Sequence, residues 1–377
     1  MKLKTIQETT AAIESKLTYL KKIQSHASYI QNLEKKYKIH TEIKFAKEHL
    51  NAWNASVELN GQDKSIYYHF YSNSKTFYSI RFPRQLVNIH LARFPSAKLL
   101  QTHKLFIEFL KSYPDVKGSF LISWHDIPKP KNNQNIVDQN QKFICFTCLK
   151  TDPLGLCIPD DFFLETKAYE QFRQQVKQQW LPWCERKPIC YWRGASSGSL
   201  LTTENWQNNR RIRLCNLAKE YNDWQFIDAK ITRLTPTKER GVKQLIRNAN
   251  LVDNYIPTSE FIKYKYVIDI DGNSNSWPGL FTKLLTGSCV LKIESPWRQW
   301  YYNSLKPWIN YVPVKTDLSD LIEKISWCRQ NDDKAREIGA NGRELALSLT
   351  METEIPKAYQ TILEALGQQT ALNLNRL

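Results

Sequence analysis

Residues 263–288 read KYKYVIDIDGNSNSWPGLFTKLLTGS, and CVLKI follows at 289–293. An apolar run over 266–270, carrying Asp269, gives way to Asp271, Gly272 and four small polar residues, Asn273, Ser274, Asn275 and Ser276. A helical run at 281–285 then leads through Thr286-Gly287-Ser288 into a second apolar run. That order is strand, polar loop, helix, turn, strand. Ligands of open α/β sheets bind in loops at the carboxyl ends of strands. A loop this rich in backbone donors and hydroxyls suits an anionic ligand such as a nucleotide diphosphate.

The same alternation extends outward. Downstream, 311–314 reads as a strand and 317–330, the stretch after Asn331-Asp332, and 352–366 as helices, with Asn331 placed to cap. Upstream, 188–192 is a short strand leading into Arg193-Gly194-Ala195-Ser196-Ser197-Gly198-Ser199, followed by a helix at 210–221 and a strand at 224–227. Earlier still, 41–92 alternates like strands, 99–112 is an amphipathic helix, and 118–124 is a strand ending at His125-Asp126. Residues 129–141 form a loop, 143–149 a further strand and 165–183 a helix. The first forty residues carry Ile13, Leu17, Leu20 and Ile23 at helical spacing among lysines. The expected organisation is a basic helix (1–40), an acceptor-side domain (41–183), a nucleotide-binding domain (184–345) and a closing segment (346–377) whose helix packs back on the body. Two blocks of alternating strands and helices predict two doubly wound domains facing a cleft.

The 377 residues are 42% hydrophobic and 12% aromatic, which excludes a disordered chain. No run of apolar residues is long enough to cross a bilayer, and MKLKTIQETTAAIES has no apolar core of a secretory leader. The net charge of +16 favours an anionic partner, and the twelve tryptophans are scattered rather than arranged as a stacking platform for nucleic acid. The eight cysteines form no paired framework. Cys145 and Cys148, read on one continuous strand, would point to opposite faces, which argues against a zinc or redox role. Reduced thiols in the cytosol fit this pattern. No histidine lies beyond 125, so a triad or His metal cluster confined to the last two-thirds is excluded.

Asp126 closes its strand, where a carboxylate can act as general base or cap a turn before Pro128. Arg193, with Gly194 and Ser196 behind it, offers a fork and close backbone donors for phosphate. Asp269-Ile-Asp271 allows two other readings, a metal-binding DxD or the nucleophile of a DxDG phosphohydrolase.

The segments FPS (94–96), HDIPKP (125–130), YWRGASS (191–197), KYKYVIDIDGNS (263–274), LLTGSCVLK (284–292), LKPWINYVPVKTDLSDL (305–321) and NDDKAREIGANG (331–342) resemble the family 90 glycosyltransferases. The likeness spans roughly residues 94–350 and is densest from 188 onward. That family includes protein O-glucosyltransferases, fungal capsule-associated xylosyltransferases and bacterial lipopolysaccharide-modifying proteins. The resemblance implies a GT-B-like pair of Rossmann-like domains, a UDP-sugar donor, inversion at the anomeric carbon and no metal or other cofactor. It places the catalytic aspartate on Asp126, a pyrophosphate-side arginine on Arg193, and the donor loop on Gly272–Ser276. Phe94, Pro95, Ser96, Ile158, Pro159 and Asp160 would border acceptor and sugar. The chain departs from the pattern at Trp277-Pro278-Gly279-Leu280, where relatives carry an arginine; Lys283 is the candidate to supply that charge.

These readings together predict glucosyl or xylosyl transfer to a lipopolysaccharide or other surface glycan. The enzyme would be cytoplasmic, with peripheral contact at an anionic inner membrane and no nucleic-acid partner. The alternatives are the DxD or DxDG chemistry of Asp269 and Asp271, and a non-catalytic protein that binds polyanions or glycans.

Overall fold

The computed structural model describes residues 41–42, 54–62, 65–71, 78–83, 96–127, 141–221 and 226–368. The expected basic helix at 1–40, Phe94 and Pro95 lie outside them. Two compact units divide the chain, one built on residues up to 90 with 106–119, the other on 91–105 with 120–377. The expected boundary between 183 and 184 falls inside the second unit.

In the first unit, strands β1 (Thr41–Glu42), β2 (Asn54–Asn60), β3 (Ser65–Tyr71) and β4 (Tyr78–Pro83) make an antiparallel ladder in the order β1-β4-β3-β2. Its register follows from alternation: Ala55, Val57 and Leu59 are buried while Glu58 between them is exposed. Val57 sits opposite Tyr68 and Leu59 opposite Ile66, so apolar side chains meet across the pair. Helix α1 (Ser96–Ser112) and strand β5 (Lys117–Ser123) are each shared between the units.

In the second unit, the end of β5 pairs in parallel with β6 (Phe143–Cys145). Two-residue strand β7 (Cys148–Leu149) follows, and β8 (Gly155–Cys157) pairs in parallel with β6. The single strand expected over 143–149 is therefore two. The chain bends at Phe146-Thr147, and β7 leaves the sheet to pair with a later segment. Of the helix expected over 165–183, the separate α2 (Asp161–Glu165) ends where it was to begin, and α3 (Glu170–Gln178) occupies only its middle. Lys167, Ala168 and Tyr169 between them all have positive φ, which no right-handed helix accommodates.

The remaining elements are β9 (Lys187–Ala195), α4 (Arg210–Glu220), β10 (Ile227–Arg233), α5 (Val242–Asn248), β11 (Tyr264–Asp269), α6 (Pro278–Leu285), β12 (Cys289–Ile293), β13 (Trp297–Arg298), β14 (Val312–Val314), α7 (Leu321–Gln330), α8 (Asp332–Ser348) and α9 (Met351–Ala365). Five of the strands form one parallel sheet in the order β10-β9-β11-β12-β14. Every residue of β12 is buried, as a strand covered on both faces requires. Alternate residues feed opposite cores. Cys289, Leu291 and Ile293 join one with α4, α5, α7 and α8, while Val290 joins the other with α6. This mixed α/β architecture with parallel sheets is the one expected of Rossmann-like domains.

Helix α9 packs against β6 and β8, fastened at its end by an ion pair from Lys142 to Glu364 (2.7 Å). It begins with a capping box between Thr350 and Thr353. Asn331 does precede α8 but makes no cap; its amide donates to Trp327 O (2.9 Å) instead. Among the described residues, no helix is long and apolar enough to cross a membrane.

Candidate active site

In the parallel sheet the first strand, β9, lies between β10 and β11, so the strand order reverses direction there. Ligands of doubly wound sheets bind in the crevice at such a switch point. The loops after β9 (196–209) and β11 (270–277) leave the carboxyl ends of the two strands that flank it. Arg211, in the first turn of α4, ties them together. Its Nε donates to Asp271 O (2.9 Å), and its terminal nitrogens donate to Ala195 O (3.0 Å), Ser197 Oγ (2.9 Å) and Ile270 O (2.9 Å). Gly198 N donates to Asn273 Oδ1 (3.2 Å). At Gly272 a Cβ would stand 2.8 Å from Ser197 Oγ, a hydroxyl held by Arg211, so the two loops approach closely there.

The 270–277 loop holds buried polar atoms with no hydrogen-bond partner: both carboxylate oxygens of Asp271, Ser274 Oγ and Asn275 Nδ2. Each such atom costs about 1–3 kcal/mol when left unsatisfied. Concentrated in one loop at a switch point, they mark a wall suited to a polar ligand. Ser276 Oγ accepts from Leu280 N (3.0 Å) in the first turn of α6. Trp277 caps that helix at φ 53°, ψ −122°, a strained conformation for a side chain of this size.

Two cations expected beside this wall are held elsewhere. The Arg193 fork is bidentate on Asp228 (2.8 and 3.0 Å) and also meets Asp253 (3.0 Å). Burial alone would depress its pKa, but the bonds and charge of Asp228 raise it above the ordinary arginine value. Gly194 is needed where it stands because a Cβ would meet the Trp192 ring at 2.5 Å. The fully buried Ser196 accepts from Thr235 N (3.0 Å) through its hydroxyl, so it braces the loop rather than facing outward.

Lys283 is buried and donates to Asp269 Oδ1 (2.9 Å). Lys292 stands 3.6 Å from Asp269 Oδ2. Burial would raise the Asp269 carboxyl, but the two lysines outweigh it and hold its pKa down to about 2. Asp269 thus faces two ammonium groups, an arrangement unlike the outward pair that a DxD metal site needs. Lys292 was not anticipated. A lysine inside the otherwise apolar run CVLKI was the available signal, since a buried charge requires a partner.

Asp126, just past the end of β5, accepts a bond from Lys98 Nζ to its Oδ1 (3.0 Å). Lys98 also donates to Trp124 O (3.1 Å) and stands 4.2 Å from the centroid of the Trp277 ring. One lysine therefore joins the Asp126 carboxylate to the tryptophan that ends the polar loop. The Asp126 side chain remains 37% exposed. Neighbouring His125 is exposed and accepts from Ile127 N (2.9 Å) at Nδ1, which fixes the turn. Lys98 lies two residues beyond the FPS segment, whose Ser96 opens α1.

Ile158, Pro159 and Asp160 are buried. Asp160 caps α2 by accepting from Phe163 N (2.9 Å), and its other oxygen accepts from Gln299 Nε2 (2.9 Å). Burial raises its pKa to about 7 from an ordinary 3.8, with Asp161 adding to the rise and the Phe163 amide and Lys98 opposing it. Asp161 is raised as well, mainly by burial, and its charge is felt together with those of Lys98 and Asp126. A carboxyl raised in the folded state stabilises it fully below the unfolded pKa, and that contribution is lost as pH rises through the folded one. The denaturant midpoint is therefore expected to fall between about pH 4 and 7. Asp160→Asn, which can still cap, should flatten that slope; an unchanged slope would assign the effect to another group.

The glycosyl transferase family 90 pattern matches residues 34–368. Mouse protein O-glucosyltransferase 3 is 30% identical over 189 residues, covering 50% of this chain and 34% of the mouse protein. The uncharacterized protein 179R of invertebrate iridescent virus 6 is 37% identical over 177 residues, covering 42% of this chain and 15% of the viral one. A solved Anabaena protein, HepE in complex with UDP-glucose, is similar at a TM-score of 0.32 and 14% identity over 52% of each chain. The chain thus spans about a third of the mouse protein's length and less of the viral one's.

Proposed function

Because the chain belongs to glycosyl transferase family 90, we propose that it moves a sugar from a UDP-sugar to an acceptor hydroxyl, with Asp126 as general base. The observation that carries this reading is the Lys98 bridge, which brings a half-exposed carboxylate beside the loop of unpartnered polar atoms. Asp126 would take the proton of the acceptor hydroxyl as its oxygen attacks the anomeric carbon. Attack from the face opposite the leaving diphosphate inverts that carbon. Loop 272–276 would receive the diphosphate, offering Ser274 Oγ and Asn275 Nδ2, which have no other partner. As UDP departs it gains charge, and donors fixed in advance stabilise it without reorganising.

The proposed roles shift two cations relative to the sequence reading. Arg193 and Lys283 would build the walls through Asp228 and Asp269. Lys98 is then the cation beside the proposed base, and Lys292 shares Asp269 with Lys283. In this proposal Asp269 shapes its loop and the reaction runs without a metal.

Glucose is the donor sugar this reading puts first, on the name of the mammalian relatives, with xylose second. The acceptor class we infer is a lipopolysaccharide or other surface glycan, reached at a cytoplasmic membrane face to which the +16 charge would draw the protein. A screen of UDP-glucose, UDP-xylose, UDP-galactose and the N-acetylhexosamine donors should show slow UDP release with one of the first two, resistant to EDTA. Release that EDTA abolishes would instead favour a metal-dependent transferase. Polyanion binding with no release from any donor would favour a non-catalytic protein.

A further inference from the structure

The break between β6 and β7 has a consequence for three cysteines. Cys145 ends β6, Cys148 begins β7 and Cys157 ends β8. On one continuous strand the first two would face apart; the bend at Phe146-Thr147 turns them together. Cys157 Sγ lies 3.8 Å from Cys145 Sγ and 3.5 Å from Cys148 Sγ, and all three sulfurs lie within 4.8 Å of one another. Tetrahedral zinc with Zn–S bonds of about 2.3 Å sets its sulfurs about 3.8 Å apart. A disulfide needs about 2.05 Å. As thiols the three have as acceptors one another's sulfurs and the carbonyls Leu156 O (3.8 Å), Gly155 O (3.7 Å) and Arg298 O (3.8 Å).

Arg298 completes the arrangement. It is the cross-strand partner of Cys148 in the β13–β7 pair and donates its Nε–H to Cys148 Sγ (3.1 Å). Its other nitrogen holds Asp152 O (3.0 Å) and Gly155 O (2.9 Å), which locks the 148–157 loop around the sulfurs. Three thiolates (−3), a divalent cation (+2) and this guanidinium (+1) sum to zero. A buried cluster is tolerable only at such near neutrality. Cys145 and Cys148 are buried and Cys157 is half-buried, so a cation can enter from the Cys157 side.

We propose that Cys145, Cys148 and Cys157 bind one zinc(II), with Arg298 as the outer hydrogen-bond donor to the Cys148 sulfur. The site pins the wall that carries Asp160. Cys157 is three residues before Asp160, and Gln299, which holds Asp160, follows Arg298 directly. The role is structural and independent of the sugar chemistry, so its test needs no donor or acceptor.

The full chain, purified under reducing conditions, should take up one equivalent of cobalt(II) with an intense thiolate-to-metal charge-transfer band that zinc(II) abolishes. Cys157→Ser should lose the band, while Cys184→Ser, at an exposed thiol outside the cluster, should keep it. Arg298→Gln keeps every thiol and should weaken zinc about 10–100-fold, as loss of an outer-shell partner does. A weak, six-coordinate cobalt spectrum of the wild type would overturn the site. So would a band that survives in Cys157→Ser, zinc affinity unchanged in Arg298→Gln, or a Cys148–Cys157 disulfide in the chain as purified. The wild-type spectrum and Arg298→Gln decide the matter even where the serine variant fails to fold.

Discussion

Asp126→Asn is expected to bind UDP as the wild type does and to transfer sugar roughly 10²–10⁴-fold more slowly, the range for loss of a general base. The substitution is nearly isosteric. Its amide oxygen can still accept the Lys98 bond that holds the side chain (3.0 Å), so the tie to Trp277 should survive. The capacity to take a proton is removed, together with the negative charge of the Lys98 ion pair. Calorimetric titration with UDP and a transfer assay on the same preparation separate the two effects. Near-normal transfer would remove Asp126 from the role. Loss of UDP affinity would mean that the carboxylate shapes the loop rather than serving the acceptor.

How far the sequence disclosed this site depended on the range of the interactions involved. Strands β11 and β12 and the loop between β11 and α6 were legible because VIDI and CVLKI, buried on both faces, could be nothing else. The position of Asp126 was legible because FLISWHD ends an apolar run. Arg193 looked free because its partners, Asp228 and Asp253, are 35 and 60 residues away on neighbouring segments. The bend in FICFTC carries neither glycine nor proline. It is fixed by pairing with Trp297–Arg298, about 150 residues on, and the thiol cluster stayed hidden with it. The break at Lys167, Ala168 and Tyr169 likewise has no local breaker. There the chain follows the packing of Ala168 and Tyr169 into the core under α6.

Arg193→Ala separates structure from binding most sharply. In the sequence reading the guanidinium grips a diphosphate, and its loss weakens UDP. In the structure its side chain is 7% exposed and its fork is closed on Asp228, itself 19% exposed. Removing one partner of a buried pair costs about 3–5 kcal/mol, because the remaining charge stays desolvated. The expected result is a large fall in the denaturant midpoint, with UDP affinity kept in whatever fraction folds. Arg193→Met combined with Asp228→Leu removes both charges and should recover most of the lost stability, since apolar replacements of buried pairs are often neutral or better. Asp253 is more exposed, at 42%, and can turn to water when the guanidinium goes. A stable Arg193→Ala protein with weakened UDP binding would reverse the assignment. The arginine would then have to leave Asp228 when the donor arrives, exchanging one oxyanion fork for another. That exchange would itself be visible, as a UDP affinity that rises when Asp228→Asn loosens its hold.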